Sequence, residues 1–305
     1  MRKVIGPGSR VTSLRRLRLG GWHVNHAIDA VDGHGRTHRV VLRRWARPGW
    51  ECDDPDYTVE REIRILEVLR SSTVPAPAVV AADPAGRRCD VPALLLTRLP
   101  GHAPRRTDTD ADAFCAQLAQ MLARIHHVDT TCRSRLAPYR LYYDRVDACL
   151  PGWMPATAVW EQAIAVVREP PPPTTMTFIH RDYHPQNTLW SGGRLSGVVD
   201  WTQASWGPPE LDVAHMRWNL VADHGQHVAD RFLATYRATT GRPLPDQAYW
   251  DLVSLFDLLL GGGGDPGDID PQDLQRFEDH ARQALSMQRC PICQAGLPPP
   301  PTRAH

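Results

Sequence analysis

A short segment in the middle of the chain, His180–Asn187, constrains the fold most strongly. Asp182 is followed five positions later by Asn187, and Asp200 comes thirteen positions after Asn187. Each of the three lies beside an apolar, strand-like run. Phosphoryl transfer from a nucleotide needs one carboxylate that orients the attacking hydroxyl, and oxygen ligands that hold Mg²⁺ on the phosphates. The order Asp, Asn, Asp supplies both kinds of group.

The residues alone therefore suggest a division of roles. Asp182 is the candidate for orienting and deprotonating an acceptor hydroxyl, and Asn187 and Asp200 are the candidates for Mg²⁺. The alternative is that these side chains cap turns, as Asp and Asn commonly do. Asn is scarce in this sequence, so the spacing H-x-D-x(4)-N is expected by chance roughly once in a hundred such chains. We expect the three side chains to converge around a divalent ion and a terminal phosphate.

Composition limits the classes of partner. The chain has 305 residues, of which 42% are hydrophobic, as is typical of a globular protein. Its net charge is +1, so no overall excess of positive charge points to binding of nucleic acid or of a membrane surface. Residues 1–50 carry eleven basic side chains against two acids, which suits a polyphosphate. Acids dominate residues 201–280, which suits a cationic acceptor unless both regions are simply solvated faces.

Cysteine usage and hydropathy predict a location. The seven cysteines are scattered and odd in number, which argues for a reducing compartment and against a disulfide framework. We find no apolar signal core, and the apolar run Leu252–Leu260 is too short to cross a bilayer. A cytoplasmic protein is expected. Cys290 and Cys293 have the spacing of metal ligands, but no second pair follows, so we interpret them as incidental.

The order of predicted elements indicates the fold class. Strands are predicted at 15–19, 27–31, 37–44 and 91–99, with a helix at 59–69 among them. Helices dominate after Gly101, and the segment His180–Asn187 is expected on a hairpin built from 177–179, 188–190 and 195–199. Strands first and helices afterwards imply an α+β architecture. Residues 289–305 are expected to be a disordered tail.

These motifs resemble the aminoglycoside phosphotransferase family, whose fold is like that of protein kinases. The resemblance covers about Leu14 to Leu260 and implies two lobes, a small mainly-β lobe at 1–101 and a larger helical lobe at 102–288. It makes Asp182 the catalytic residue and Asn187 and Asp200 the metal ligands. His184 stands where protein kinases usually have lysine, so the motif looks like the small-molecule branch of the fold.

The resemblance extends to the donor side. Gly20 and Gly21, with Asn25, occupy the place of the loop that covers the phosphates, although a glycine pair is often a plain turn. The family's strand lysine is absent, since Lys3 is the only lysine and precedes that loop. Arg43 takes its position and can bind phosphate oxygens bidentately.

Two further assignments follow from the resemblance. Glu62 is expected to pair with Arg43, with Glu60 and Glu67 as competitors. Backbone groups near Thr97 and Leu99 are expected to bind adenine.

The predicted function is an enzyme that uses ATP or GTP and Mg²⁺ to phosphorylate a hydroxyl of a small molecule, either a cationic antibiotic or a metabolite. One alternative is a nucleotide-binding regulatory protein without transferase activity, suggested by the missing lysine. A protein Ser/Thr kinase is disfavoured by His184 and by the lack of an Ala-Pro-Glu segment. The sequence leaves the acceptor, the choice between ATP and GTP, and the oligomeric state open.

Overall fold

A computed structural model describes residues 2–17, 23–47, 49, 57–105, 110–129, 131, 136–261 and 269–288. Gly20, Gly21, Cys290, Cys293 and the predicted tail lie outside these residues. The described chain divides into two compact units. The first contains the described residues within 1–102, 134–136 and 188–204, and the second contains those within 103–133, 137–187 and 205–305.

A five-stranded antiparallel sheet forms most of the first unit, in the order β1-β2-β3-β5-β4. Its strands are β1 (Arg10–Arg16), β2 (Val24–Val31), β3 (Thr37–Arg44), β4 (Val79–Asp83) and β5 (Ala93–Thr97). Alternation along β3 places Val40 and Leu42 together against Ile28 and Leu95 in a small apolar cluster. Arg43 consequently belongs to the opposite face of the sheet.

Within the described part of the first unit, the sheet is accompanied by the helices α1 (Arg2–Ile5) and α2 (Val59–Leu69). The bounds of α2 are those that the sequence predicted. It begins at an N-cap, because the side chain of Thr58 accepts a hydrogen bond from Arg61 N. Ile65, Leu66 and Leu69 form its buried stripe, and Glu62 is buried with them at 1% exposure. A carboxylate in this position needs a partner.

A β-hairpin from the middle of the chain also belongs to the first unit. It consists of β7 (Thr188–Ser191) and β8 (Arg194–Val198). His102 and Trp190 exchange backbone hydrogen bonds of 3.1 and 2.8 Å, and Val198 N donates to Pro75 O at 2.9 Å. These bonds are why the contacts group 188–204 with the first unit, whereas the sequence-based division counted this hairpin with residues 102–288.

The second unit is mainly helical. Its helices are α3 (Ala111–His126), α4 (Ala158–Arg168), α5 (Pro209–His224), α6 (Gln226–Thr240), α7 (Gln247–Phe256), which continues as a π-helical turn (Asp257–Gly261), and α8 (Pro271–Gln288). Asp110 caps α3, since its side chain accepts a hydrogen bond from Asp112 N. The apolar stripe on α3 is buried, with Leu118, Leu122 and Ile125 at 0% exposure.

One strand pairing differs from the prediction. The strand β6 (Thr177–Ile179) pairs with β9 (Ser205–Gly207), and not with the strand that follows His180–Asn187. The strand β9 has only three residues, which is too short for an alternating apolar pattern that would predict a strand from the sequence. His180–Asn187 is therefore a loop that leaves β6 and ends in a 3₁₀ turn at Pro185–Asn187.

Two predictions about the whole chain concern membranes and disulfides. No helix within the described ranges is long and apolar enough to cross a membrane. Cys89, Cys115 and Cys149 are free thiols.

Gly101 provides a test of how tightly the hairpin is joined to the sheet. Its φ is +103°, and an added Cβ would lie 2.5 Å from Trp190 O. Gly192 also has positive φ (+57°), but nothing lies within 4 Å of its added Cβ. We expect Gly192→Ala to lower the free energy of unfolding by about 1 kcal/mol, and Gly101→Ala to cost a further 1–3 kcal/mol or so from the clash. Urea denaturation of both variants measures the difference, and equal losses would contradict it.

Candidate functional site

The first unit brings together the side chains of what we call the arginine cluster: His23, Arg43, Glu62, Asp200 and Thr202. Arg43 is 5% exposed, and its Nε lies 3.3 Å from Glu62 Oε2. Its Nη2 contacts Asp200 Oδ1 closely, and also donates to Thr202 Oγ1 at 3.2 Å. Thr202 in turn donates to Glu62 Oε2 at 3.2 Å. The predicted Arg43–Glu62 pair is thus part of a larger network, whereas Glu60 and Glu67 are exposed.

Charge balance in the arginine cluster is uneven, because one cation serves two carboxylates. Burial lowers the pKa of Arg43, but Asp200 and Glu62 raise it more, so the guanidinium stays charged. Burial raises the pKa of Glu62 to about 7, since the attraction of Arg43 is shared and Asp200 adds repulsion. Both shifts have the same cause, which is an excess of negative charge around one cation.

The remaining donor-side predictions have mixed outcomes. Asn25 lies in β2, paired in register with Arg43, and not in the preceding loop where the resemblance placed it. Register with β3 fixes this position, and Asn25 O accepts from Leu17 N at 2.8 Å. Thr97 N donates to Ala78 O at 2.9 Å, so its amide is already used. Leu99 has no backbone hydrogen bond to any described residue.

The second unit brings together the aspartate cluster: Asp182, His184, Asn187 and His215. Asn187 Nδ2 donates to Asp182 Oδ2 at 2.8 Å and to Asp182 O at 3.0 Å. His215 Nε2 lies 3.1 Å from Asp182 Oδ1, and His184 Nε2 lies 3.7 Å from the same oxygen. Asp182 and Asn187 are therefore together as predicted, while Asp200 belongs to the first unit.

The aspartate cluster keeps Asp182 ionised. Burial raises the pKa of Asp182, but His184 and His215 together lower it more, so the net pKa is well below the usual range. Its side chain is 29% exposed, which leaves room for a hydroxyl to approach. A carboxylate that already accepts hydrogen bonds on both oxygens is a weak base and a well-oriented acceptor.

The loop that carries Asp182 is fixed by a buried carboxylate on α5. Asp212 accepts from His180 N and Arg181 N, both at 2.7 Å. His126 Nε2 lies 3.1 Å from Asp212 Oδ2 and completes its partners. The role of Asp212 is therefore structural, since it holds the backbone of the loop just before Asp182.

Arg181 has an unusual conformation in the same loop. Its φ of +76° is in the left-handed region, which costs about 1–3 kcal/mol for a residue other than glycine. Arg181 Nη1 donates to Asp257 Oδ2 at 2.8 Å, and the guanidinium lies 4.5 and 4.4 Å from the rings of Tyr139 and Tyr142. These contacts hold the strained residue next to Asp182.

Oxygen atoms suited to Mg²⁺ are present in both clusters. Because Asn187 Nδ2 faces Asp182, its Oδ1 is left without a hydrogen bond to any described residue. Asp200 likewise uses Oδ1 for Arg43, and its Oδ2 has no partner in the described part of the chain. Amide and carboxylate oxygens fit a hard cation. Among described residues, no three His, Cys, Asp or Glu side chains form a metal-binding group.

Sequence reasoning missed His23, His215 and Thr202. A single histidine or threonine has no spacing pattern, and each of these reaches its partner from a distant part of the chain. His215 follows Asp212 by three positions, one helical turn along α5. That spacing was the available signal, because residues three apart lie on one face of a helix.

Comparisons with known proteins agree with this arrangement. The family model of the phosphotransferase enzyme family matches residues 19–249 of the chain. The chain belongs to this family. This phosphotransferase is a small-molecule kinase, so the predicted family and class of enzyme are confirmed. A comparison with curated protein sequences gave no match.

Solved structures share the fold of this phosphotransferase. Macrolide 2′-phosphotransferase MphH from Brachybacterium faecium is 19% identical, with a TM-score of 0.56 over 95% of this chain and 94% of that one. The GDP complex of aminoglycoside 2′-phosphotransferase-IIIa is 18% identical, with a TM-score of 0.64 over 90% and 94%. A thermostable mutant of aminoglycoside phosphotransferase APH(4)-Ia, with AMP-PNP and hygromycin B, is 18% identical, with a TM-score of 0.62 over 89% and 94%. The predicted α+β, two-lobed, kinase-like fold is confirmed.

The uneven charge of the arginine cluster predicts how stability depends on pH. The folded pKa of Glu62 is about 7, above its ordinary 4.5, so the folded chain binds the proton more tightly. The contribution of Glu62 to the free energy of unfolding is complete below about pH 4.5 and is lost as pH rises through 7. We expect Glu62→Gln to reduce this loss, measured by urea denaturation across pH. The exposed Glu67→Gln variant is the control, and identical pH profiles for wild type and Glu62→Gln would contradict the assignment.

The aspartate cluster predicts a pKa change on replacing His215. The variant His215→Phe removes a hydrogen bond and positive charge from Asp182, so the pKa of Asp182 should rise toward its usual range. A pH titration of the ¹³C carboxyl resonances of aspartate-labelled protein measures it. His227→Phe, at an exposed position on α6, should leave the resonance unchanged. An unaltered Asp182 pKa in His215→Phe would show that His184 and burial alone set its value.

Proposed function

We propose that this phosphotransferase moves the terminal phosphoryl group of ATP or GTP, with Mg²⁺, to a hydroxyl group of a small molecule. The observation that carries the proposal is the state of Asp182. Its carboxylate is ionised, partly exposed, and held on both oxygens by Asn187 and His215. Such a group is suited to positioning a hydroxyl for attack, which is the main protein contribution in phosphoryl transfer.

Asp182 acts on the acceptor. The acceptor hydroxyl donates a hydrogen bond to Asp182, and its oxygen attacks the terminal phosphorus of the nucleotide. The new oxygen–phosphorus bond forms as the bond to the nucleoside diphosphate breaks, and the hydroxyl proton passes to Asp182. Because the pKa of Asp182 is low, the proton moves late, after most of the bond to phosphorus has formed.

The arginine cluster acts on the donor. Arg43 binds phosphate oxygens, while Glu62 and Thr202 hold its guanidinium in place. Asp200 and Asn187 are the proposed oxygen ligands of Mg²⁺, which when bound neutralises phosphate charge. The carbonyl of Thr97 and the amide of Leu99 are proposed to bind adenine, and Gly20 and Gly21 to form the loop over the phosphates.

The acidic residues of 201–280 give less support to a cationic acceptor than the sequence suggested. Many acids of residues 201–280 have partners: Asp251 and Asp230 pair with Arg217, Asp257 with Arg181, and Asp273 with Arg276. Paired acids attract a cation weakly, so this acidity does not favour a cationic acceptor. The family and the complex with hygromycin B support a polyhydroxylated small molecule.

A screen of acceptors by nucleotide consumption tests the proposal. ATP and GTP are each offered with Mg²⁺ and a panel of aminoglycosides, macrolides, nucleosides and sugars. Asp200→Ala serves as the blank, because it removes a proposed metal ligand. For the acceptor found, we expect Asp182→Ala to lower kcat by about 10²–10⁴-fold while the nucleotide Kd stays within a factor of a few.

The variant Asp279→Asn, on the exposed side of α8, is the matched control and should keep full activity. Unchanged turnover in Asp182→Ala would remove Asp182 from the reaction. Binding of ATP or GTP with no transfer to any acceptor in a broad panel would instead favour a regulatory nucleotide-binding protein.

A further inference from the structure

His23 has one buried nitrogen without a partner in the arginine cluster. The side chain is 4% exposed, and its Nε2 has no hydrogen-bond partner among the described residues. Its ring stacks on Tyr57 at 4.9 Å and meets the edge of Trp45 at 4.4 Å. These contacts fix the orientation of the ring, so the ring cannot rotate to bring Nε2 to solvent for a hydrogen bond with water.

The other nitrogen of His23 determines which tautomer is present. Arg43 Nη2 lies 2.7 Å from His23 Nδ1, and a guanidinium can only donate hydrogen bonds. Nδ1 must therefore accept, which places the ring proton on Nε2. Burial, and then the charge of Arg43, lower the pKa of His23, in agreement with a neutral ring. The unpartnered Nε2 is consequently a donor.

The surroundings of His23 Nε2 indicate which kind of ligand is missing. A buried donor that stays unpaired costs about 1–3 kcal/mol, so the Nε2–H indicates a ligand that supplies an acceptor. The charged guanidinium of Arg43 lies 2.7 Å from the other nitrogen of the same ring, so this acceptor is favoured when it carries negative charge.

We propose that His23 Nε2–H donates a hydrogen bond to a phosphate oxygen of the bound nucleotide, beside Arg43. Phosphate oxygens accept and do not donate, and the neighbouring guanidinium favours a negatively charged ligand. His23 also follows closely after Gly20 and Gly21, which the family resemblance assigns to the phosphate-covering loop. The inference rests on the proposed nucleotide-dependent function and adds a residue to its donor site.

Two substitutions separate the two nitrogens of His23. In His23→Asn the amide can still accept from Arg43 at the position of Nδ1, but nothing reaches the position of Nε2. In His23→Gln the amide reaches the position of Nε2 and can donate there. The exposed His34→Asn, in the β2–β3 turn, is the matched control. Thermal unfolding of each variant shows whether it folds.

Calorimetric titration with adenosine, ADP and ATP, or with the guanine series if wild type prefers GTP, provides the test. We expect His23→Asn to weaken ATP binding about tenfold or more, as for a lost hydrogen bond to a charged acceptor. Adenosine binding should be unchanged, and His23→Gln should recover part of the ATP affinity. Equal losses for adenosine and ATP would show a structural role only, and no loss for any ligand would remove the hydrogen bond; either result overturns the proposal.

A second measurement needs no variant. In ¹⁵N-histidine-labelled wild type, the His23 Nε2–H resonance should shift on adding ATP and stay fixed on adding adenosine. If the protein binds ATP but the chemical shift of this resonance changes with neither ligand, the His23 assignment alone is overturned. Wild-type protein that binds neither ATP nor GTP overturns the proposed function and this inference together.

Discussion

One buried guanidinium balances two carboxylates that come from separate stretches of the first unit. Arg43 on β3 contacts Glu62 on α2 and Asp200 after β8, and loss of its charge would leave both anions without compensation. The strand, the helix and the returning hairpin are therefore tied through one side chain. Arg43 Nη2 contacts His23 Nδ1, Asp200 Oδ1 and Thr202 Oγ1, while Nε lies 3.3 Å from Glu62 Oε2. A guanidinium can present two nitrogens to separate partners at once, which the single ammonium nitrogen of lysine cannot do.

The contacts described in the second unit hold one carboxylate, that of Asp182, in a fixed orientation. Asp182 follows a loop whose backbone is bound by Asp212 and whose left-handed residue, Arg181, is held by Asp257. The backbone strain persists only because these contacts outweigh it. Orientation is what such a loop supplies, since the low pKa of Asp182 makes it a poor base. Positioning, more than proton affinity, is therefore its contribution to the proposed reaction.

The sequence predicted best where the signal was local. The helix at 59–69 follows from periodicity and has the bounds predicted for it, and Glu62, which the family resemblance selects within this helix, lies beside Arg43. It failed where contacts depend on residues far apart. His23 has no periodic signal, and the only local signal for His215 is its helical spacing from Asp212. The importance of both comes from partners that lie 20 and 33 positions away. Asn25 was placed in a loop by resemblance alone, whereas strand register decides its position.

The return of residues 188–204 to the first unit has a consequence for how this protein can be divided. The first unit is not one continuous piece of chain, because Asp200 and Thr202 enter it only after the chain has passed through much of the second unit. A fragment that stops at His102 would keep His23 and Glu62 but lack Asp200 and Thr202, which are the other two partners of the buried cation. A shortened protein with the complete set of residues would have to be a fusion in which a linker joins that fragment directly to the later hairpin.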